Sequence, residues 1–124
     1  MAWRTSSALA VGCTIVWKPA EEVLLSSLEL FPLIVKAFPP GVFNVVNGKG
    51  STIGMHLVRH PRVAKIAFTG STSVGKTVAK EAAMSNLKTV GLELGGKSPV
   101  FVLGVPPSGT LAEVALTAHH AMFW

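Results

Sequence analysis

Residues 70–77 read GSTSVGKT, a run of small residues with two glycines and a lysine that is suited to binding phosphate. The run satisfies G-x-x-x-x-G-K-[ST], the phosphate loop of nucleoside triphosphatases. An apolar stretch precedes it and a helical pattern follows, so backbone N–H groups at a helix N-terminus would face the ligand. Two interpretations are open: a triphosphate bound with magnesium, or a dinucleotide diphosphate bound without metal.

The metal requirement separates these two interpretations. A triphosphatase needs a carboxylate, normally Asp at the end of a neighbouring strand, to hold Mg²⁺. The chain has no Asp, and Glu93 is the one substitute after an apolar strand pattern. Diphosphate binding needs only the helix N-terminus: Gly70 lets the backbone approach, Ser71 donates a hydroxyl, and Lys76 points into solvent. We therefore expect dinucleotide binding, with a triphosphatase as an alternative.

The elements that must position these residues alternate along the chain. Short β-rich runs predict strands over 13–17, 42–46, 63–68 and 89–92, with a fifth over 99–103. Helical patterns cover 21–37, 52–59, 74–84 and 111–123; Pro32 should kink or shorten the first of them, and Val78, Ala82 and Ala83 form the inner stripe of the third. This alternation predicts an α/β fold, a Rossmann-like open parallel sheet with helices on both faces that is incomplete.

The residues that could bind a ligand or take part in catalysis follow the ends of the predicted strands. Ligands of open α/β sheets bind at the carboxyl ends of the strands. The residues in question are Lys18 and Glu21 after the first strand, Gly48 and Gly50 after the second, Gly70 and Ser71 after the third, and Glu93 after the fourth. We expect these four loops to meet at one edge of the sheet.

Composition and charge exclude several other classes of protein. Apolar residues make up 49% of the chain and mean hydropathy is +0.51, which indicates surfaces covered by partner subunits or by further parts of the polypeptide. The eleven Lys and Arg residues are scattered singly, so no nucleic-acid binding is expected. The best apolar run, residues 8–17, has about half the length that a bilayer requires, and it ends in Lys18-Pro19 rather than a small-residue cleavage site. We expect neither a membrane span nor a signal peptide.

The histidines and the cysteine are ordinary by the same criteria. His56 and His60 lie four residues apart on a predicted helix, but no Glu follows His56 and no third ligand is apparent, so no metal site is expected. Cys13 is the one cysteine, which excludes an intrachain disulfide and fits a reducing compartment. We expect a cytoplasmic protein, or a mitochondrial matrix location for a full-length form.

Four blocks of the chain resemble successive blocks of the NAD(P)-dependent aldehyde dehydrogenase superfamily. They are KPAE at 18–21, FPPGVFNVVNGKGSTIG at 38–54, VAKIAFTGSTSVGK at 63–76 and LKTVGLELGGKSPVFV at 87–102. Their order and spacing match as well, and the resemblance runs from Trp3 to about Val102 before it fades. It implies a partial NAD-binding domain over residues 1–103 and a divergent helical segment over 104–124.

The resemblance also implies roles for individual residues. Lys18 and Glu21 match positions that hydrogen-bond the adenosine ribose, and a carboxylate there would repel a 2′-phosphate, so NAD is favoured over NADP. Glu93 matches the general base that activates water. The remaining matches to coenzyme contacts are Gly50, Gly54 and Val74 on the adenine side, Phe68, Gly70 and Ser71 on the diphosphate and nicotinamide side, Gly75 in the coenzyme loop, and Leu94 with Gly95 beside the nicotinamide. Each also has a purely structural interpretation as a turn, a cap or a solvated loop residue.

The family oxidises an aldehyde to a carboxylic acid through a cysteine thiolate, hydride transfer to NAD and hydrolysis of a thioester. By the resemblance, the nucleophile lies beyond Trp124 and the oxyanion-hole asparagine lies before Met1, while Cys13 stands where the family usually has Asn. We therefore expect the isolated chain to be inactive on an aldehyde substrate. An alternative function is a non-catalytic truncated subunit that associates with homologous full-length subunits.

Overall fold

The computed structural model describes residues 2–104 and 110–123, which divide into two compact units, Met1–Leu94 and Gly95–Trp124. In the first unit the helices are α1 (Ala2–Ala10), α2 (Leu24–Val35), α3 (Met55–Arg59) and α4 (Thr72–Asn86), and the strands are β1 (Ile15–Trp17), β2 (Phe43–Val45), β3 (Lys65–Gly70) and β4 (Thr89–Leu94). A 3₁₀ turn over Glu21–Val23 precedes α2, and a π-helical turn over Gly50–Gly54 runs directly into α3. The second unit contains α5 (Leu111–Phe123).

The strands form two parallel pairs. Strand β1 pairs with β2, with Ile15 opposite Phe43, and β3 pairs with β4, with Lys65 opposite Thr89. Each pair is a β–α–β unit whose two strands are joined through one α-helix, as parallel pairing requires. The predicted α/β class with parallel strands is confirmed. Among the described residues, however, the strands make two separate pairs rather than one continuous sheet.

Helix α4 packs on one face of the β3–β4 pair. Its buried residues Val78 and Ala82 join Val58 of α3 in a core cluster, and the half-buried Ile66 and Phe68 of β3 pack against that cluster. Two of the three residues predicted for the inner stripe of this helix are therefore confirmed. The third, Ala83, is exposed because it lies on the neighbouring face of the helix. This packing sets the start of α4 directly after the carboxyl end of β3.

The β1–β2 pair is held by aromatic packing. Phe43 is 1% exposed, and its ring lies 6.3 Å from that of Trp17 and 6.1 Å from that of Phe31 on α2, measured between centroids. Contacts of this kind contribute about 0.5–1.5 kcal/mol each beyond the area that they bury. Pro32 lies inside α2, which ends three residues later at Val35 and so is shorter than the predicted helix, as proline implies.

Several predicted boundaries were wrong. Strand β3 begins two residues later than predicted and ends at Gly70, and β4 continues to Leu94, so Glu93 lies inside a strand and not after it. The predicted fifth strand does not form: residues 99–103 have no strand partner among the residues that the structure describes. Helix α1 was not predicted. No helix in the described ranges has both the length and the hydropathy needed to cross a membrane.

Candidate functional site: a groove at the strand ends

An open groove of about 450 Å³ lies where three of the predicted loops meet. Its walls come from the 3₁₀ turn after β1, the π-helical turn and α3 after β2, and the first two turns of α4 after β3. The lining residues are Glu21, Gly50, Ser51, Met55, Val74 and Thr77. Three of these, Glu21, Gly50 and Val74, are among the predicted coenzyme residues. The structure thus brings together three of the four predicted strand-end loops.

Glu21 ties the first of these loops to the second. Its Oε1 accepts a hydrogen bond of 2.8 Å from the backbone N–H of Gly50, the first residue of the π-helical turn. A carboxylate at the amino end of a helical segment is favoured by the local dipole. Two carboxylate oxygens offer about four lone-pair sites, so Glu21 retains capacity to accept from a ligand hydroxyl.

Lys18 braces the turn that follows β2. Its half-buried Nζ donates to the carbonyl oxygens of Pro19 at 2.7 Å and Gly48 at 2.9 Å. Two of its three N–H donors are thus bound within the described part of the chain. Gly48 has φ +149°, and a Cβ there would lie 2.5 Å from Cγ1 of Ile53, so this tight turn requires glycine. Gly54 lies beside the Lys18 stem, where an added methyl would make ordinary contact at 3.8 Å.

The amino end of α4 has the features of an anion-binding site. Ser71 is the N-cap, and its Oγ accepts from the N–H of Val74 at 3.3 Å. The hydroxyl of Ser73 lies 3.1 Å from the same Oγ. The N–H groups of Thr72 and Ser73 belong to the first turn, where amides have no intrahelical acceptor. Together with the helix dipole, this arrangement suits a phosphate or diphosphate.

The string GSTSVGKT does not form a phosphate loop. In a triphosphatase, the residues between the two glycines wrap around the phosphates as a loop. Here α4 begins at Thr72, so Ser73, Gly75 and Lys76 are all helical. Gly75 is buried, and a Cβ on it would lie 2.5 Å from Cδ2 of Leu94, so its lack of a side chain serves packing of the helix on β4. Lys76 is exposed.

Phe68 and Gly70 pack at the end of β3, next to the start of α4. Phe68 packs against the core cluster of α3 and α4, and a Cβ on Gly70 would lie 2.5 Å from Cζ of the Phe68 ring. Glycine at position 70 therefore lets the chain leave β3 over the aromatic ring. The structure gives both residues packing roles, and their contact with coenzyme stays a prediction, as it does for Gly75 and Leu94.

Glu93 lies apart from the groove lining. It pairs with Thr69 across the β3–β4 pair, and its strand neighbour Leu94 packs toward Gly75 of α4. Because side chains alternate along a strand, Glu93 projects from the face opposite α4. Its side chain is 75% exposed and its Oε1 lies 3.9 Å from an Nη of Arg4 on α1. At this exposure such an ion pair contributes little to stability.

Sequence reasoning missed two contacts that fix α3. Lys88 is 7% exposed, and its Nζ donates to the carbonyl oxygens of Val58 at 2.6 Å and His60 at 2.7 Å. Burial lowers the pKa of Lys88 below its ordinary value. Arg59 Nε donates to Glu81 on α4 at 2.7 Å. A lysine just before a strand looks like a solvent-exposed residue, so the sequence carried no signal for the first contact.

The histidines have surface positions. His56 and His60 are exposed, and Nδ1 of His60 accepts from the backbone N–H of Arg62 at 3.2 Å. Within residues 2–104 and 110–123, no group of three His, Cys, Asp or Glu side chains is arranged to hold a metal ion.

Comparison with known proteins decides the family. The sequence model of the aldehyde dehydrogenase family matches residues 1–118. The chain belongs to the aldehyde dehydrogenase family. An aldehyde dehydrogenase of Agaricus bisporus is 49% identical over 125 residues, which cover 100% of this chain and 24% of that protein. Human aldehyde dehydrogenase 1A1 is 47% identical over 123 residues, which cover 98% of this chain and 24% of that protein. The chain thus spans about a quarter of the length of these two relatives.

Solved structures of aldehyde dehydrogenases match the fold as well. A mutant of the indole-3-acetaldehyde dehydrogenase of P. syringae, solved in complex with NAD⁺, superposes with a TM-score of 0.75 at 41% identity, over 78% of this chain and 20% of that one. The betaine aldehyde dehydrogenase of Staphylococcus aureus, also solved with NAD⁺, gives a TM-score of 0.72 at 38% identity over 77% and 19%. The expected family and Rossmann-like fold are both confirmed.

Proposed function

We propose that the Met1–Leu94 unit forms the adenosine and diphosphate part of an NAD site, and that the complete protein oxidises an aldehyde to a carboxylic acid. The observation that carries this proposal is the groove in which the Glu21 carboxylate, the Gly50 turn and the amino end of α4 meet. Family membership and the NAD⁺ complexes of the similar structures support it.

The residues present fit the adenosine half of the coenzyme. Met55 and Val74 give the groove apolar walls suited to the faces of a purine, and 44% of Val74 is exposed for such contact. Glu21, already oriented by the Gly50 amide, accepts from a ribose hydroxyl. We assign Lys18 the same ribose, through the Nζ donor that its two carbonyl partners leave over.

The diphosphate fits the amino end of α4. The first-turn amides of Thr72 and Ser73 and the hydroxyl of Ser71 supply neutral donors, and the helix dipole supplies the favourable potential. No divalent ion is needed for this mode of binding. When bound, NAD supplies the acceptor for a hydride, and the residues assigned here bind and orient its other half.

Glu21 selects NAD over NADP. A second negative charge at the ribose 2′ position would lie near the Glu21 carboxylate. Two unit charges 4 Å apart repel by about 1 kcal/mol in water and about 4 kcal/mol at the effective dielectric constant of a protein surface. We therefore expect the affinity for NADP to be lower than the affinity for NAD by a factor of about ten or more.

We assign Glu93 the role of general base, in which an exposed carboxylate takes a proton from the attacking water. We assign no nucleophile among the described residues: Cys13 precedes β1, whereas Lys18, Glu21 and Gly48 follow the carboxyl ends of β1 and β2. For the complete protein we propose the cytoplasm or the mitochondrial matrix, and one relative is a mitochondrial 10-formyltetrahydrofolate dehydrogenase of mouse, 50% identical over 103 residues, which cover 82% of this chain and 11% of that protein.

A second candidate function is association with homologous subunits. Two leucines of α2, Leu25 and Leu33, are 80% and 67% exposed, and such apolar exposure on a helix favours contact with another chain. Co-expression with a full-length family member tests this candidate. A stable complex that is lost on Leu25→Glu with Leu33→Glu supports it, and separate elution of the two chains rejects it.

Calorimetric titration of the chain with NAD, NADP and ATP, each with and without Mg²⁺, tests the principal proposal. We expect NAD to bind independently of Mg²⁺ and more tightly than NADP. Glu21→Gln should lower the affinity for NAD and reduce the ratio of NAD affinity to NADP affinity, because the amide keeps a hydrogen-bond acceptor but loses the negative charge. Lys76→Ala is the control, since only a phosphate loop needs that exposed lysine. Binding of Mg²⁺–ATP alone, abolished by Lys76→Ala, would overturn the proposal.

A further inference from the structure

The wall of the groove contributed by Gly50, Ser51 and Met55 is the beginning of one continuous helical segment, residues 50–59. The π-helical turn over Gly50–Gly54 supplies its first half and α3 its second. At its amino end, the N–H of Gly50 donates to Glu21 at 2.8 Å. Segment 50–59 therefore carries the groove wall at one end, and near its other end Val58 joins the core cluster.

The carboxyl end of this segment is held by a charged side chain of opposite sign. The last carbonyl groups of a helix have no intrahelical donor and carry the negative end of the dipole. Lys88 donates to two of these groups, the oxygens of Val58 and His60, at 2.6 and 2.7 Å. It is 7% exposed, and a buried ammonium persists only when it is hydrogen-bonded in this way. Segment 50–59 is thus held by a carboxylate at its beginning and an ammonium at its end.

We infer that Lys88 is a positioning residue for the adenosine half of the coenzyme, a role that rests on the proposed NAD site. By holding the carbonyl oxygens of Val58 and His60, it sets where segment 50–59 lies along its own axis. That position decides whether the Gly50 amide meets Glu21 and whether Met55 lines the groove. Lys88 does not line the groove itself.

The neighbouring contacts do not replace Lys88. Arg59 donates to Glu81 through side chains that are 58% and 24% exposed, which fixes a surface residue of α3 and involves neither carbonyl group. Asn86 bonds the carbonyls of Pro61 and Val63, beyond the end of the helix. Loss of Lys88 leaves the Val58 carbonyl near the core without its donor and the His60 carbonyl with only the N–H of Val63, 3.1 Å away, so the segment is free to shift toward water.

Three variants of the full chain separate the positioning role from mere stability. Lys88→Met keeps the length and removes the donors, Lys88→Arg keeps charged donors, and Lys88→Gln keeps a neutral donor and serves if the methionine variant does not fold. Lys80→Met is the matched control, because Lys80 is an exposed lysine of α4. Each folded variant is titrated well below its melting temperature with AMP, which probes the adenosine end, and with inorganic pyrophosphate, which probes the amino end of α4.

We expect Lys88→Met to lower the affinity for AMP by about 3- to 30-fold, the usual range for residues that act at a distance. The affinity for pyrophosphate should stay within about twofold of that of the original chain. Lys88→Arg should restore most of the AMP affinity, Lys88→Gln should lie between, and Lys80→Met should match the original chain. Unchanged AMP affinity in folded Lys88→Met or Lys88→Gln overturns this inference and leaves the proposed NAD site intact. Equal losses of AMP and pyrophosphate affinity have the same consequence. If the original chain binds neither AMP nor NAD, the proposed function itself fails.

Discussion

Ser71 offers a test in which stability and binding should move in different directions. Its hydroxyl caps α4 by accepting from the Val74 N–H, and it lies where we propose that the coenzyme diphosphate binds. Ser71→Ala removes the cap. Ser71→Asp retains a capping oxygen and adds a negative charge at the same place. The two variants therefore separate the contribution of the cap from the contribution of an uncharged, anion-attracting helix end.

The expected magnitudes follow from these contacts. Loss of an N-cap costs about 1 kcal/mol, so Ser71→Ala should lower the free energy of unfolding by that amount. Aspartate caps as well as serine and gains about 0.3–1 kcal/mol from the dipole, so Ser71→Asp should be at least as stable as the original chain. For binding, unit charges about 5 Å apart repel by about 1 kcal/mol in water and about 3 kcal/mol at a protein surface. Ser71→Asp should thus weaken NAD by roughly 5- to 150-fold.

Urea denaturation measures the stability order and calorimetry measures the affinity order. Lys80→Gln is the control for charge, because it lowers the net charge by one unit at an exposed site further along α4. Added salt should reduce the penalty on NAD binding by Ser71→Asp, since exposed charges are screened. If Ser71→Asp binds NAD as tightly as Lys80→Gln does, the diphosphate does not bind at the amino end of α4 and the reasoning is refuted.

Three further predictions concern the packing and ends of α4. Gly75→Ala gains about 1 kcal/mol of helix propensity but forces Leu94, 2.5 Å from the new methyl, off its rotamer at a cost of about 0.5–1.5 kcal/mol. In urea denaturation, Gly75→Ala should therefore barely change the free energy of unfolding of the original chain but raise that of a Leu94→Ala chain by about 1 kcal/mol. Equal changes in the two chains would contradict this. The hydrogen bond from Arg59 lowers the pKa of Glu81 below its ordinary value, so the stabilising effect of the pair is fully present above that ordinary value and is lost as pH falls through the lowered pKa. Urea denaturation should therefore show Glu81→Gln less stable than the original chain near neutral pH and equally stable in acid, whereas a difference that stays constant with pH would argue against the pair. Leu87, which is 83% exposed, ends α4 at φ 56° in the left-handed region. Glycine there avoids about 1–2 kcal/mol of backbone strain and loses part of that gain to the entropy of the unfolded chain. Thermal melts should therefore show Leu87→Gly more stable by about 0.5–1 kcal/mol, and a lower melting temperature would disprove the strain.

The sequence was most informative where local chemistry decides the structure. A β-branched run, the small residues Gly70 and Ser71, and an alanine-rich helical pattern predicted β3 and α4 within two residues at each end. Serine is a strong N-cap, and the buried stripe through Val78 and Ala82 follows from the helical period. The meeting of Glu21 and Gly50 was also predictable, because they follow the two strands of one parallel pair and such loops meet at the same edge, where Val74 of α4 joins them in the groove.

Features that depend on distant partners were not predictable from the sequence. Residues 99–103 have the composition of a strand, but a strand forms only where another strand supplies hydrogen bonds. Glu93 was expected in a loop because glycines follow it. Pairing with β3 extends β4 to Leu94, and the two-residue period then directs Glu93 away from α4. Lys88 became a core residue only because α3 ends beside it, which no neighbour in sequence records.

The order of the two β–α–β segments along the chain has a consequence for biosynthesis. All residues of the β1–β2 pair precede those of the β3–β4 pair in the chain. Since a ribosome adds only about 5–20 residues per second, the β1–β2 pair has time to assemble before the β3–β4 pair leaves the exit tunnel. The turn carrying Glu21 would then already be formed when the emerging α4 completes the groove.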